Sequence, residues 1–121
     1  MMIGSVRDLH ALLPVIICPP EKPNITIEFV IDTGFTGLMT LPSEIVSSLK
    51  LPYMNRISAQ LADASFVDIP YYSANIIWND EEKEVRVLAT GERPLLGTSL
   101  LDANALWAEF QEEGKVIINE I

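Results

Sequence analysis

The chain has 121 residues, which suits one domain with a single core and excludes two lobes that each carry their own site. Its formal net charge is -9, so its surface repels phosphate backbones and anionic lipids, and we expect neither nucleic acid nor a membrane as a partner. Hydrophobic residues make up 49% of the chain, a surplus that favours burial in a subunit interface.

Single cysteine and histidine residues limit the possible chemistry. Cys18 has no partner for an intrachain disulfide and suits a reducing compartment, so we expect a cytoplasmic protein. His10 alone cannot form a His-cluster zinc site, and we interpret it as a surface or interface residue rather than a catalytic base. Residues 9–18 are apolar but contain Pro14 and lack a basic leader, so they predict an early strand rather than a signal peptide.

The first half of the chain predicts strands around one short helix. Three prolines in residues 19–23 indicate a loop, and residues 24–31 then alternate as a half-buried strand that leads into Asp32. Residues 38–41 predict a short strand, and residues 42–49 predict a helical turn that begins with proline and serine.

The second half predicts hairpins and a second short helix. Residues 57–61 and 66–72 form the first hairpin, with a polar tip at 62–65, and further strands cover 74–78 and 85–88. The acidic run at 79–84 predicts a solvated hairpin turn rather than a cation site, and no metal site is expected. An apolar strand at 94–96 leads to Gly97 and a helix capped by Thr98 or Ser99. The chain ends in a hairpin of 106–110 and 116–121, where Gly114 is expected to adopt a positive φ.

One sequence motif, Asp32-Thr33-Gly34, indicates a candidate catalytic site. Asp32-Thr33-Gly34 follows an apolar strand and precedes Phe35, Thr36 and a second glycine. The tripeptide by itself occurs by chance in roughly a few of every hundred chains of this length. Its context is more specific, because a hairpin with a small polar tip and then the Leu95-Leu96-Gly97 sequence before a helix follow in order.

This order of features resembles the retropepsin-like aspartic proteases, in particular their small single-lobe bacterial members, over about residues 15–121. The resemblance implies a mostly β, closed-barrel-like acid protease fold with one or two short helices, spanning residues 1–121 as one domain and working as a homodimer. It implies that Asp32 is the catalytic residue and that Thr33, Gly34, Leu96 and Gly97 support the active site.

The same resemblance implies how substrate is held. The hairpin tip would be the flap over a cleft that binds an extended peptide or protein substrate, and no cofactor is implied. The resemblance assigns the substrate-binding residues to the loop after the motif and to the flap tip: Phe35, Thr36, Ala62, Asp63, Ala64 and Ser65. Each chain holds one Asp-Thr-Gly, so a symmetric partner would supply the second carboxylate that water activation needs.

Three departures from the family pattern leave alternatives open. Phe35 stands where a small or hydroxyl residue is common, the tip at 62–65 lacks glycine, and Thr98-Ser99 replace the Arg-Asn pair of viral relatives. The chain could therefore be a catalytically silent, dimeric binding module of the same fold. It could also be an unrelated small β-domain in which Asp32 only forms an Asx-turn at a strand end.

The apolar segments near the two termini bear on assembly. Residues 15–17 and 116–118 are rich in Ile and Val, and we expect them to leave unpaired strand edges on an isolated monomer. In retropepsin-like dimers the termini of both chains interleave in a shared sheet, so the resemblance implies that association covers these edges.

Overall fold

A computed structural model describes residues 1–60 and 63–121. This part of the chain forms ten strands and two short helices, as the sequence predicts for a mostly β protein. The strands are β1 (Met2–Arg7), β2 (His10–Cys18), β3 (Ile25–Ile31), β4 (Met39–Leu41), β5 (Tyr53–Gln60), β6 (Phe66–Trp78), β7 (Glu81–Ala89), β8 (Leu95–Leu96), β9 (Asn104–Ala108) and β10 (Lys115–Glu120). The helices are α1 (Ser43–Leu49) and α2 (Thr98–Leu101).

The strands join in the order β5-β6-β7-β4-β8-β3-β2-β1-β10-β9, with an additional pairing of β6 and β2. That pairing completes a hydrogen-bonded circuit through β2, β3, β8, β4, β7 and β6. Apolar side chains from this circuit and from α1 fill the core, and Phe29 is the largest side chain that is fully buried. Alternate residues are buried in β2 from Leu13 onwards and in β7 from Val85 onwards, because successive strand residues point to opposite faces of the sheet.

The position of β8 determines the path of the chain between β3 and β4. Ile31 pairs with Leu96 in parallel register, and Met39 pairs with Leu96 on the other side in antiparallel register. The chain therefore leaves β3, passes around the end of β8 and returns as β4. We call the connecting residues 32–38 the Asp32 loop.

The prediction that the terminal apolar segments are unpaired edges is wrong. Residues 15–17 belong to β2, which pairs with β1, β3 and β6, while β10 lies between β1 and β9. The two end strands are β5 and β9 instead, and β9 carries the half-exposed side chain of Trp107. Pairing partners far apart in the sequence decide which strand is an edge, and local hydrophobicity does not reveal them.

Other element boundaries differ in detail from the sequence predictions. β1 was not predicted, and it joins β2 through a tight turn in which Asp8 and Leu9 both have positive φ. β6 is one strand of 13 residues where two segments are predicted. Gly114 does not have a positive φ, whereas Glu113 does at 64°. Glycine is needed at 114 because a Cβ there would lie 2.0 Å from the Glu109 carbonyl oxygen.

Both helices are short and lack side-chain caps. Pro42 precedes α1, and Lys50 closes it in the left-handed conformation, with its N–H donating to Ser47 O at 3.1 Å. The predicted cap of the second helix by Thr98 or Ser99 is wrong, since Gly97 occupies the N-cap position. Neither helix is long and apolar enough to cross a membrane in the part of the chain that the structure describes.

Candidate active site

Asp32 lies directly after β3, partly buried, at the start of the Asp32 loop. Its backbone N–H donates to Leu96 O at 2.9 Å, which continues the β3–β8 pairing by one residue. Its carboxylate oxygen Oδ1 accepts a hydrogen bond from Gly34 N at 2.9 Å, and its carbonyl accepts one from Phe35 N at 3.1 Å. The first bond forms an Asx-turn and the second closes a β-turn over residues 32–35. The Asx-turn fixes the direction of the carboxylate and leaves Oδ2 without a hydrogen-bond partner among the described residues.

The peptide unit between Leu96 and Gly97 supports the loop from below. Leu96 O accepts from Asp32 N, while Gly97 N donates to Leu38 O at 2.9 Å. One peptide thus bonds to both ends of the Asp32 loop. Leu96 is fully buried beneath it, so the position of the carboxylate is tied to the core.

Gly97 allows this close approach. A Cβ at this position would lie 2.3 Å from Gly37 O and 2.7 Å from Phe35 O. Both distances are well inside van der Waals contact, and both involve backbone atoms that cannot rotate away. The ring of Phe35 also packs here, since its Cδ2 would be 2.6 Å from a Cβ at Gly97 and its Cζ 2.5 Å from one at Gly37.

The first turn of α2 holds the loop from the other side. Thr98 N donates to Phe35 O at 2.8 Å, and Ser99 N donates to Gly37 O at 3.2 Å. The hydroxyl of Thr98 donates to Phe35 O at 3.4 Å, and that of Ser99 donates to Thr36 O. The two residues therefore bind the loop instead of capping their own helix, a contact between distant segments that the capping pattern cannot reveal.

Thr33, Gly34 and Thr36 are exposed on the outer side of the Asp32 loop. A Cβ on Gly34 would meet only Asp32 Oδ1, at 3.2 Å, so the space in front of this glycine is open. The structure therefore brings together the predicted loop residues with Leu96 and Gly97. Phe35 differs from its neighbours because its ring is turned towards Gly37 and Gly97.

A cleft of about 390 Å³ opens beside Asp32, and we call it the Asp32 cleft. Val30, Ile31 and Leu95 form its apolar wall, with Thr33 next to the carboxylate. Two basic residues complete it, His10 and Arg93, neither of which was predicted as a site residue. His10 lines the cleft because β2 pairs with β3 up to Leu12 and Val30, and His10 lies two residues before Leu12 on the side of the sheet end where Asp32 follows β3.

A second cleft of about 480 Å³, the Arg86 cleft, lies at the other end of the Asp32 loop. Gly37 and Leu38 of the loop line it, together with Ser99. The remaining lining residues are Ile57 of β5 and two residues of β7, Arg86 and Leu88. The Asp32 loop therefore lies between two clefts. The Asp32 cleft contains the candidate catalytic carboxylate, and the Arg86 cleft adjoins the predicted flap.

The predicted flap is the hairpin of β5 and β6, paired from Gln60 and Phe66 inwards. At its tip Asp63 Oδ1 accepts from Ser65 N at 3.0 Å and from Ser65 Oγ at 2.5 Å, and these bonds lower the pKa of Asp63. Ala64 has a φ of 69°, an uncommon conformation for a residue with a Cβ. Ala62, also predicted as a flap residue, lies outside the described residues.

Residues 1–60 and 63–121 contain no cluster of metal-binding side chains. No group of three or more His, Cys, Asp or Glu side chains there is arranged to hold a metal ion. The acidic run at 79–84 is split between a turn at Asn79-Asp80 and the start of β7.

Comparison with solved structures supports the fold. The chain is similar to a retropepsin-like aspartic protease from Rickettsia conorii, with a TM-score of 0.62 and 19% sequence identity over 99% of this chain and 89% of that one. No protein-family model and no curated protein matches the sequence. At this identity the likeness establishes the retropepsin-like fold.

Proposed function

We propose that this protein is an aspartic endopeptidase that works as a homodimer, with one Asp32 carboxylate from each chain. The observation that carries the proposal is the position of Asp32, on an Asx-turn beside an open cleft in a retropepsin-like fold. A single chain offers one such carboxylate, and hydrolysis without a metal or a covalent intermediate needs both an acid and a base.

The proposed chemistry follows from the pairing of two like carboxylates. Two such groups a few ångströms apart cannot both ionise readily, so the pair shares one proton. The ionised carboxylate accepts a proton from water while the water oxygen attacks the peptide carbonyl carbon. The protonated carboxylate donates to the carbonyl oxygen, giving a gem-diol, and proton transfer to the amide nitrogen then breaks the C–N bond.

The loop residues have roles that their surroundings support. Gly34 leaves room for a substrate backbone, and the exposed Thr33 hydroxyl is available to bond across the two-fold axis to the partner chain. Leu96 and Gly97 hold the carboxylate in place through their shared peptide. Phe35 supports the loop through its ring. The exposed Thr36 is available to contact the bound peptide.

The flap completes the substrate site in this proposal. The tip residues Asp63, Ala64 and Ser65 close over an extended peptide whose backbone lies along the Asp32 loop. The hydrogen-bonded strand circuit supplies a closed-barrel-like scaffold beneath it. We also propose a cytoplasmic location, because Cys18 is the only cysteine and needs no oxidising compartment.

Replacement of the carboxylate by its amide isostere tests the proposal. Asp32→Asn keeps the shape of the side chain but removes the proton acceptor, so we expect loss of peptidase activity with an intact or tighter dimer. The matched control is Asp80→Asn, in the β6–β7 turn, since Asn adopts the left-handed conformation at least as readily as Asp.

Peptide cleavage and sedimentation should be measured on the same samples of both variants. Asp80→Asn should retain activity and assembly. Turnover by the Asp32→Asn protein would show that the carboxylate has another role. An inactive wild-type protein that still binds peptides as a dimer would instead support the binding module.

A further inference from the structure

Both clefts beside the Asp32 loop contain an arginine. Arg93 lines the Asp32 cleft and Arg86 lines the Arg86 cleft, and both side chains are exposed. Asp32 is the one acidic residue among the residues that line these two clefts. The chain as a whole has 17 acidic and 8 basic residues, so this local excess of positive charge runs against its composition.

Neither arginine forms an ion pair within the described part of the chain. Within residues 1–60 and 63–121, the one salt bridge joins Arg7 and Glu28, and neither Arg86 nor Arg93 lies within ion-pair distance of a carboxylate. Glu84, two residues before Arg86 on β7, is also outside that distance. Both guanidinium groups are therefore available to an anionic ligand.

Arg86 is also held in place. Its guanidinium carbon lies 4.3 Å from the centroid of the Tyr71 ring, a cation–π contact that limits the rotamers of a long side chain. A charge that is already oriented loses less conformational entropy when it binds a carboxylate. This contact sets Arg86 apart from a freely solvated surface arginine.

The walls of the clefts indicate which anion fits. The Asp32 cleft combines Arg93 with Val30 and Leu95, and the Arg86 cleft combines its arginine with Ile57 and Leu88. Apolar walls suit methylene groups, and the arginine suits a carboxylate at their end. A glutamate side chain has both parts, so it fits this arrangement better than a phosphate or a wholly apolar residue.

We infer that the protein selects peptides with acidic side chains, preferably glutamate, at the positions that face Arg93 and Arg86. This inference rests on the proposed peptide-binding site, but it does not require that the peptide be cut. The two clefts lie at opposite ends of the Asp32 loop, so an extended peptide along the loop reaches both. Each arginine therefore binds an acidic side chain at a different position of the peptide.

The experiment compares Glu with its neutral isostere Gln at each position of a set of extended fluorescent peptides. Binding is measured on the full-length Asp32→Asn protein by anisotropy, and cleavage is measured on wild-type protein with the same peptides. We expect an advantage of Glu over Gln of about fivefold at two positions, the upper end for a solvent-exposed ion pair. The advantage should shrink as salt is raised from about 0.05 to 0.5 M.

Arg93→Gln and Arg86→Gln should each remove the Glu advantage at one position and leave it at the other. Lys83→Gln is the matched control, because it makes the same charge change on β7 outside both clefts. Thermal melts of all three variants establish that they fold. The salt dependence of the Glu advantage, measured on the wild-type and Asp32→Asn proteins, is a second test that does not depend on the arginine variants.

The outcomes separate this inference from the peptidase proposal. A Glu advantage in binding without any cleavage by wild-type protein supports the inference and contradicts the peptidase. Cleavage that depends on Asp32 but shows equal use of Glu and Gln overturns the inference and leaves the peptidase intact. A Glu advantage that persists unchanged in both arginine variants also overturns the inference, and absence of both binding and cleavage overturns both proposals.

Discussion

Gly97→Ala tests whether the Asp32 loop depends on close contact with the end of β8. The new methyl group would lie 2.3 Å from Gly37 O and 2.7 Å from Phe35 O, whereas ordinary van der Waals contacts of a Cβ begin at 3.4 Å. The two carbonyl groups must therefore move by up to about 1 Å. They accept hydrogen bonds from Ser99 N and Thr98 N, and the movement would break or lengthen these bonds.

The expected cost follows from these contacts. Overpacking of this kind costs about 1–3 kcal/mol, and each weakened backbone hydrogen bond adds up to about 1 kcal/mol. Alanine also lowers the conformational entropy of the unfolded chain relative to glycine, which offsets about 0.4–1 kcal/mol of this loss of stability. Gly97 has a φ of -103°, so alanine suffers no backbone strain there, and the net loss should be about 2–3 kcal/mol. This corresponds to a fall in Tm of roughly 6–12 °C for a domain of this size.

Urea denaturation and peptide cleavage should be measured at one fixed protein concentration, because the proposed dimerisation would make the apparent stability depend on protein concentration. Gly91→Ala is the control. Gly91 has a φ of 80° and open space around it, so alanine there should cost about 1 kcal/mol through backbone strain without affecting activity. A Gly97→Ala protein with wild-type stability and activity would refute the role assigned to this contact.

Two further predictions follow from shifted pKa values. The ionised Asp63 carboxylate accepts hydrogen bonds from the Ser65 hydroxyl and N–H, and these bonds lower its pKa. They stabilise the hairpin tip fully at pH values above the ordinary aspartate pKa of about 3.9, and this stabilisation is lost as the pH falls through the lowered pKa of Asp63. Ser65→Ala should raise the pKa of Asp63, measured by NMR titration, and an unchanged value would contradict the assigned bond. Burial, and to a smaller extent the charge of Glu82, raise the pKa of the Cys18 thiol. Alkylation of Cys18 at pH 8 should therefore be slower in the native protein than in urea, and faster in native Glu82→Gln than in native wild-type protein. Equal rates in all three samples would contradict this environment.

Local sequence patterns predict much of the candidate site. The alternation of residues 24–31 identifies β3, and the Asp-Thr-Gly sequence after it identifies the turn in which Asp32 accepts from Gly34. Both features depend on residues close together in the chain. The helix α1 and the final hairpin are predicted for the same reason, with boundaries that differ by a few residues.

Features that depend on pairing between distant segments are not predicted. The sequence gives no signal for β1, because its turn places Asp8 and Leu9 in the left-handed region, which leucine rarely adopts. His10 and Arg93 join the Asp32 cleft only through the pairing of β2 and β8 with β3. Thr98 and Ser99 have the residue types of helix caps, but the Asp32 loop offers closer acceptors for their hydrogen bonds.

A subunit-mixing experiment tests the central claim, that two chains build one active site, most directly. Wild-type and Asp32→Asn chains are unfolded together, refolded in different ratios at constant total concentration, and assayed for peptide cleavage. A mixed dimer holds one carboxylate and one amide, so activity should follow the square of the wild-type fraction and fall to about one quarter in an equal mixture. Activity that falls in direct proportion to the wild-type fraction, to about one half, would show that a single chain holds a complete site and would contradict the account.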